Sequence, residues 1–328
     1  MLRSRVPATA RRGSAPARRR SAAAVLITAV ACLLAAAAAL LGATAVARGT
    51  GELRIPGAGT ATLLRTVLFG ALAVHLGGLA ATALARSLPG RPESAPRGWA
   101  TAASVAGALA AAGQIVRLAR VSDLGLVETY GTREGGLLLL IANGFALAAC
   151  CAASRRPALA AAPLALVIGA EALRAHPEAY SPAVGAALTV VHLTAASLWC
   201  GGLLHVLRTM RLWRRTGPGA ARALLGRYAR LAGWLYAALA VTGTFSALRR
   251  LPPDTVLTSA YGRTLLIKLV LVAVVSALAL GARRRLAADP DPAVARRRAR
   301  RELVALAAVV LVSAVLTVVP DPHWLSTR

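Results

Sequence analysis

Nine apolar runs of membrane-crossing length follow one another along this chain, with arginines collected between them. They cover residues 22–47, 63–86, 99–119, 134–153, 157–173, 183–207, 228–248, 261–282 and 302–320. Each lies near the ~20 residues that a helix needs to cross a bilayer. In hydrocarbon every backbone N–H and C=O must be satisfied within the segment, which helices of this length achieve. The expected fold is therefore an all-α integral membrane protein with about nine transmembrane helices. Hydrophobic residues are 57% of the 328, too many in unbroken runs for a water-soluble core.

The formal charge of +27 would elsewhere suggest nucleic acid. Here the charges fall between the apolar runs, where positive residues set topology, so the expected partner is the lipid bilayer and not nucleic acid. The N-terminal tail holds seven arginines, and alternate loops hold three, two, seven and eight, together 27 of the 39 basic residues. The positive-inside rule then predicts a multi-pass plasma-membrane protein with a cytoplasmic N-terminus and an extracytoplasmic C-terminus. The expected division is a basic tail at 1–21, a first helix at 22–47, four-helix halves at 63–173 and 183–320, and an outer tail at 321–328. The basic leader and the small residues Ala43, Ala45 and Ala47 imitate a signal peptide. A 26-residue apolar run exceeds the usual h-region, which favours an uncleaved anchor.

The two halves echo each other. Thr129-Tyr-Gly131 with Arg133 resembles Ala260-Tyr-Gly-Arg263, and Asp123 and Asp254 stand seven residues before the tyrosines. Upstream, His75-Leu-Gly-Gly and Trp199-Cys-Gly-Gly both lie in spans running inward. This suggests two parallel repeats, spans 2–5 and 6–9, related by an axis along the membrane normal. Aligning the glycines pairs His75 with Trp199; aligning the histidines pairs it with His192.

The intramembrane histidines are the main chemical clue, because an ionisable ring in hydrocarbon is costly. His192 and His75 stand ~13 Å and ~18 Å below the outer ends of their spans at 1.5 Å per residue. Those depths are compatible with their facing one another near mid-membrane. Imidazole ligates copper in either common oxidation state, so both are candidate metal ligands, with His176 a third at the outer mouth. His205 lies near the cytoplasmic end and reads as interfacial, and His323 stands in the outer tail. Trp199 is seven residues after His192 and on nearly the same helix face. Gly201 and Gly202 admit a neighbouring helix. Cys32, Cys150, Cys151 and Cys200 have no CxxC spacing and imply neither a disulfide framework nor a zinc site. Cys200, His205 and Met210 lie at five-residue steps, rotated about 140° each, and do not share a face. Lys268, the only lysine, and Arg117 with Gln114 lie within spans, with Asp254 and Asp123 the expected counter-ions by depth. No nucleotide loop, HExxH or Ser/His/Asp set is present, so no enzyme is expected.

Three segments together resemble the CopD family, copper resistance protein D. His192-Leu-Thr-Ala-Ala-Ser-Leu-Trp199-Cys-Gly-Gly is similar to its H-x6-W-x-G-G signature. Ser259-Ala-Tyr261-Gly262-Arg263-Thr-Leu-Leu-Ile-Lys268 resembles its YGR-x-LL-x-K segment. Arg301-Glu-Leu303 and Pro320-Asp-Pro322 resemble its ending, and Val241-Thr-Gly243 fits as well. The good resemblance covers about residues 183–322. It implies copper transport across the plasma membrane, in the direction of import, or copper resistance and homeostasis, with copper transported or transiently bound and no other cofactor. It carries Trp199, Gly201, Gly202, Tyr261, Gly262, Arg263 and Lys268 over as motif positions beside His192. Two departures stand out. No periplasmic copper-binding domain accompanies the spans, and Met210 is the only internal methionine, so a separate periplasmic copper-binding protein is the implied partner. The alternatives are a non-transporting membrane partner in copper-enzyme assembly and a b-type haem protein with His75 and His192 as axial ligands.

Overall fold

The computed structural model describes residues 15–53, 55–154, 156–175, 181–288 and 292–320, with side chains described over 29–53, 55–154, 156–175, 181–281 and 299–320. Among them there is no strand. The helices are α1 (Ala15–Val46), α2 (Ala58–Arg86), α3 (Ala100–Ser122), α4 (Leu126–Gly131) and α5 (Arg133–Ala153). They continue with α6 (Ala161–Ala175), α7 (Pro182–Trp213), α8 (Pro218–Arg250), α9 (Ala260–Ala288) and α10 (Pro292–Leu316). A 3-10 turn at Pro157–Ala160 leads into α6. The described residues divide into two compact units at residue 38, the first holding the N-terminal part of α1.

Among the described residues eight helices are long and apolar enough to cross a membrane, against the nine expected. The all-helical membrane architecture stands. The difference is α10, which covers the expected ninth run but starts at Pro292 among arginines and stops at Leu316. Its charge-free stretch within the helix is only residues 303–316, with a turn completing the run to 320.

Within the larger unit, α2, α3, α5 and α6 pack in series; α7 packs on α8 and α9 on α10. The halves join twice in the same sense, α6 against α7 and α10 against α2. Between them runs the most extensive helix pair, α2 with α7. Here the paired glycines meet. A methyl group on Gly77 would fall on the Gly201–Gly202 backbone, and one on Gly201 would fall on the Ala73 carbonyl. Small residues allow such backbone contact between membrane helices. Gly77 against Gly201 is a contact between equivalent positions, as a two-fold-related pair would make, and it favours the alignment that sets His75 opposite Trp199.

Helices α5 and α9 begin alike. Thr132 Oγ1 accepts from Gly135 N, and Ser259 Oγ accepts from Gly262 N, each at 3.0 Å. Both are side-chain caps of otherwise unpaired helical N–H groups. Gly135 then presses on the Thr129 carbonyl and Gly262 on the Val256 carbonyl, six residues upstream in each case. The match corrects the expected echo. Thr129-Tyr-Gly131 belongs to α4, ahead of its cap, whereas Tyr261-Gly262 lies inside α9. The two Tyr-Gly pairs are therefore not structurally equivalent.

Candidate functional site

His192 projects from α7 toward α8, half-buried. Its Nδ1 lies 2.9 Å from Thr242 Oγ1, and Gly243 leaves room beside the ring, where a methyl group would stand 3.5 Å from Cε1. Thr242 Oγ1 itself donates to the Ala238 carbonyl at 2.7 Å. A hydroxyl has one hydrogen, so with that hydrogen engaged it accepts, and His192 Nδ1 carries the proton. The lone pair then sits on Nε2. A histidine fixed through one nitrogen and open at the other is how protein-held imidazole ligands are oriented. Lys268, half-buried on α9, lies within electrostatic reach of this ring. It makes no hydrogen bond or ion pair among the described residues.

His75 takes a different neighbour. It is buried at 1% exposure on α2, with Nδ1 2.6 Å from Ser104 Oγ of α3. The glycine crossing fixes its depth against His192. His75 stands two residues before Gly77 and His192 nine before Gly201, on helices that run parallel. That seven-residue difference is ~10 Å along the helix axes. The expected meeting of the two rings near mid-membrane is therefore corrected: each bonds within its own half, at different depths. The reason is register, since span ends say nothing about where two helices touch. His205 packs near Gly78, with Nε2 3.3 Å from Thr82 Oγ1 of α2, four residues before that helix ends. His176 and His323 lie outside the described residues. Among the described residues no group of three or more His, Cys, Asp or Glu is arranged to hold a metal.

Two turns below His192, Trp199 is buried at the centre of a second cluster. Its Nε1 donates to Glu302 Oε1 of α10 at 3.2 Å, and its ring meets Tyr236 edge-on at a centroid distance of 5.8 Å. The Tyr228 hydroxyl donates to the Trp199 carbonyl. Gly202 makes this possible, because a methyl group there would stand 2.9 Å from the Tyr228 ring. The four residues border a cavity of about 120 Å³ whose walls also include Leu203, Ala232 and Ser276. Cys200 and Met210 belong to the apolar packing here and are not brought together as ligands.

Tyr261, Gly262 and Arg263 weld the N-terminal end of α9. Tyr261 is buried with Ala43, Ala58, Val315 and Val319. Arg263 donates to the Leu257 and Arg48 carbonyls at 3.1 and 2.8 Å. Glu52, from the loop before α2, accepts from Ala260 N at 3.2 Å. The expected counter-ions are corrected. Asp123 and Asp254 are exposed beyond the helix ends, and the carboxylate acting on Arg117 is Glu134. Asp123 has left the α3 helix, with φ 52°.

Residues 222–319 match the family model CopD, copper resistance protein D. Over these residues the chain is similar to the CopD family. The matched stretch runs from the start of α8 through α10 and contains Thr242, Tyr261 to Arg263, Lys268 and Glu302. It begins after His192 and Trp199, so the matched stretch is shorter than the 183–322 expected, yet both residues bond directly into it. The match associates this segment with copper resistance and homeostasis. No curated protein and no solved structure matches the chain.

Sequence reasoning missed Thr242, Tyr228 and the bond to Glu302. Val241-Thr-Gly243 was visible as a motif. Tyr228, at the first position of an apolar run, resembles an interfacial anchor. Only the gap opened by Gly202 marks it as interior.

Proposed function

We propose that this protein is a copper permease of the plasma membrane, without enzymatic activity, that carries copper inward past His192. The orientation is N-terminus cytoplasmic, and copper reaches the outer face on a separate periplasmic copper-binding protein. The observation that carries the reading is the His192–Thr242–Ala238 chain, which leaves Nε2 as the basic nitrogen within a membrane-spanning helix. Its partner Thr242 lies in the CopD segment.

Copper is cargo in this account. Imidazole binds it in either common oxidation state. Lys268, a cation within electrostatic reach of the same ring, opposes long residence of a second cation. That combination suits transit better than storage. His75 is not required at the same station, and the ~10 Å offset in depth separates the two rings too far to ligate one haem iron together.

The test is cellular. His192→Ala is expected to lower cellular copper while protein abundance in the membrane stays unchanged. Copper at the wild-type level with normal abundance would defeat the permease reading. It would favour a non-transporting partner in copper-enzyme assembly, recognisable by co-purification with the enzyme subunit it serves.

A further inference from the structure

The outer half of the first four-helix group contains a charged cluster that copper handling does not use. Arg174 of α6 is buried at 8% exposure, donating to Glu171 Oε1 at 2.6 Å and to Gln114 Oε1 of α3 at 3.2 Å. Its Nε stands 3.6 Å from Glu134 of α5, which is about half exposed at the mouth. Arg65 of α2 lies within electrostatic reach of Arg174, Arg117, Glu171 and Glu134, and donates to the Thr317 carbonyl at 2.9 Å. Among the described residues the set is three arginines against two glutamates. A residual positive charge at this depth is expensive unless something compensates it.

Three buried donors of the set make no hydrogen bond: Arg174 Nε, which has only Glu134 at 3.6 Å, and two on α3. Gln114 is 1% exposed and its Nε2 is buried without a hydrogen-bond partner; the Arg117 Nε is likewise buried and unpartnered. The amide orientation is not arbitrary. Arginine offers donors only, so the Gln114 atom bonded to Arg174 must be the oxygen, and the –NH2 must point away. Gln114 and Arg117 are three residues apart on α3 and share a face. Buried donors without acceptors are costly, so an orphaned pair beside excess positive charge indicates an anionic acceptor.

We infer that Gln114 and Arg117, backed by Arg65 and Arg174, form a binding site for a small inorganic anion of chloride size. Depth selects the source. Gln114 lies eight residues, ~12 Å, inside the outer end of α3, below the level of a phospholipid headgroup. A small monovalent ion that sheds its water can reach it, and one negative charge balances the cluster. The site is independent of the copper pathway, being built on α2, α3, α5 and α6, while His192 bonds to α8.

The test is equilibrium binding of radioactive chloride to the purified full-length protein in lipid nanodiscs, with gluconate holding ionic strength constant. Wild type is expected to bind saturably, with unlabelled bromide competing. Arg117→Met should weaken binding at least about tenfold, the loss expected of one hydrogen bond to a charged group. Gln114→Glu keeps an oxygen for Arg174 but places its own negative charge in the site, and should abolish binding while raising no demand for another counter-ion. Either folded variant suffices to test the assignment. Non-saturable chloride binding by wild type would overturn it, showing that only solvent meets these donors. Wild-type affinity in the folded variants would overturn it equally.

Discussion

Replacing Gly201 with alanine tests the register on which the depth assignments rest. The added methyl group would land on the Ala73 carbonyl. A backbone oxygen in mid-helix cannot rotate away, so α2 and α7 must separate along their whole contact. Overpacking of an ordinary core costs about 1–3 kcal/mol, and a clash between two backbones in the principal interface belongs at the upper end, ~3 kcal/mol. Gly70→Ala on α2 is the control, because nothing lies within 4 Å of a methyl group there. It should be neutral or gain up to ~1 kcal/mol from helix propensity. At roughly 2–4 °C per kcal/mol, Gly201→Ala should melt at least about 6 °C below Gly70→Ala. Thermal unfolding in detergent, read as the monodisperse fraction on size exclusion, measures this. Gly77→Ala should behave like Gly201→Ala. The double variant should cost less than their sum, since the first methyl already parts the helices. Equal melting of Gly201→Ala and Gly70→Ala would refute the crossing, and with it the ~10 Å separation of His75 from His192.

Other consequences follow from individual contacts. Trp199→Phe removes the N–H donor from the buried Glu302 carboxylate and should cost about 1.5–3 kcal/mol; with Glu302→Leu the combined loss should fall short of the sum, checked by a double-mutant cycle of melting temperatures. Ser259→Ala and Thr132→Ala each delete a helix cap, and each should cost about 1 kcal/mol by the same assay. Thr242→Val removes the acceptor that orients His192 and should reduce copper transport ten- to a hundredfold at normal protein abundance, as loss of an orienting partner does at metal-binding histidines.

The membrane architecture was legible because a bilayer imposes length and polarity on every crossing, and eight of the expected runs recur as crossing-length helices. The last run misled at its edges, where apolar composition continued past the end of α10. The chemistry was legible residue by residue but not in its pairings. His192, Trp199 and the Tyr-Gly-Arg segment stood out, yet nothing in their spacing shows that Trp199 reaches Glu302, 103 residues away. Depth estimated from span ends placed His75 and His192 together; the glycine contact, which depends on which small residues of two helices meet, moved them apart. The Tyr-Gly echo failed for a related reason. The repeated feature is the cap and the glycine three residues after it, and sequence likeness fell on the more conspicuous tyrosines instead.

Radioactive copper uptake into proteoliposomes containing wild type or His192→Ala tests the central claim most directly. The account predicts uptake by wild type and little or none by His192→Ala, with both proteins folded and equally reconstituted. Equal uptake by the two would contradict passage at His192, and no uptake by either would contradict transport itself.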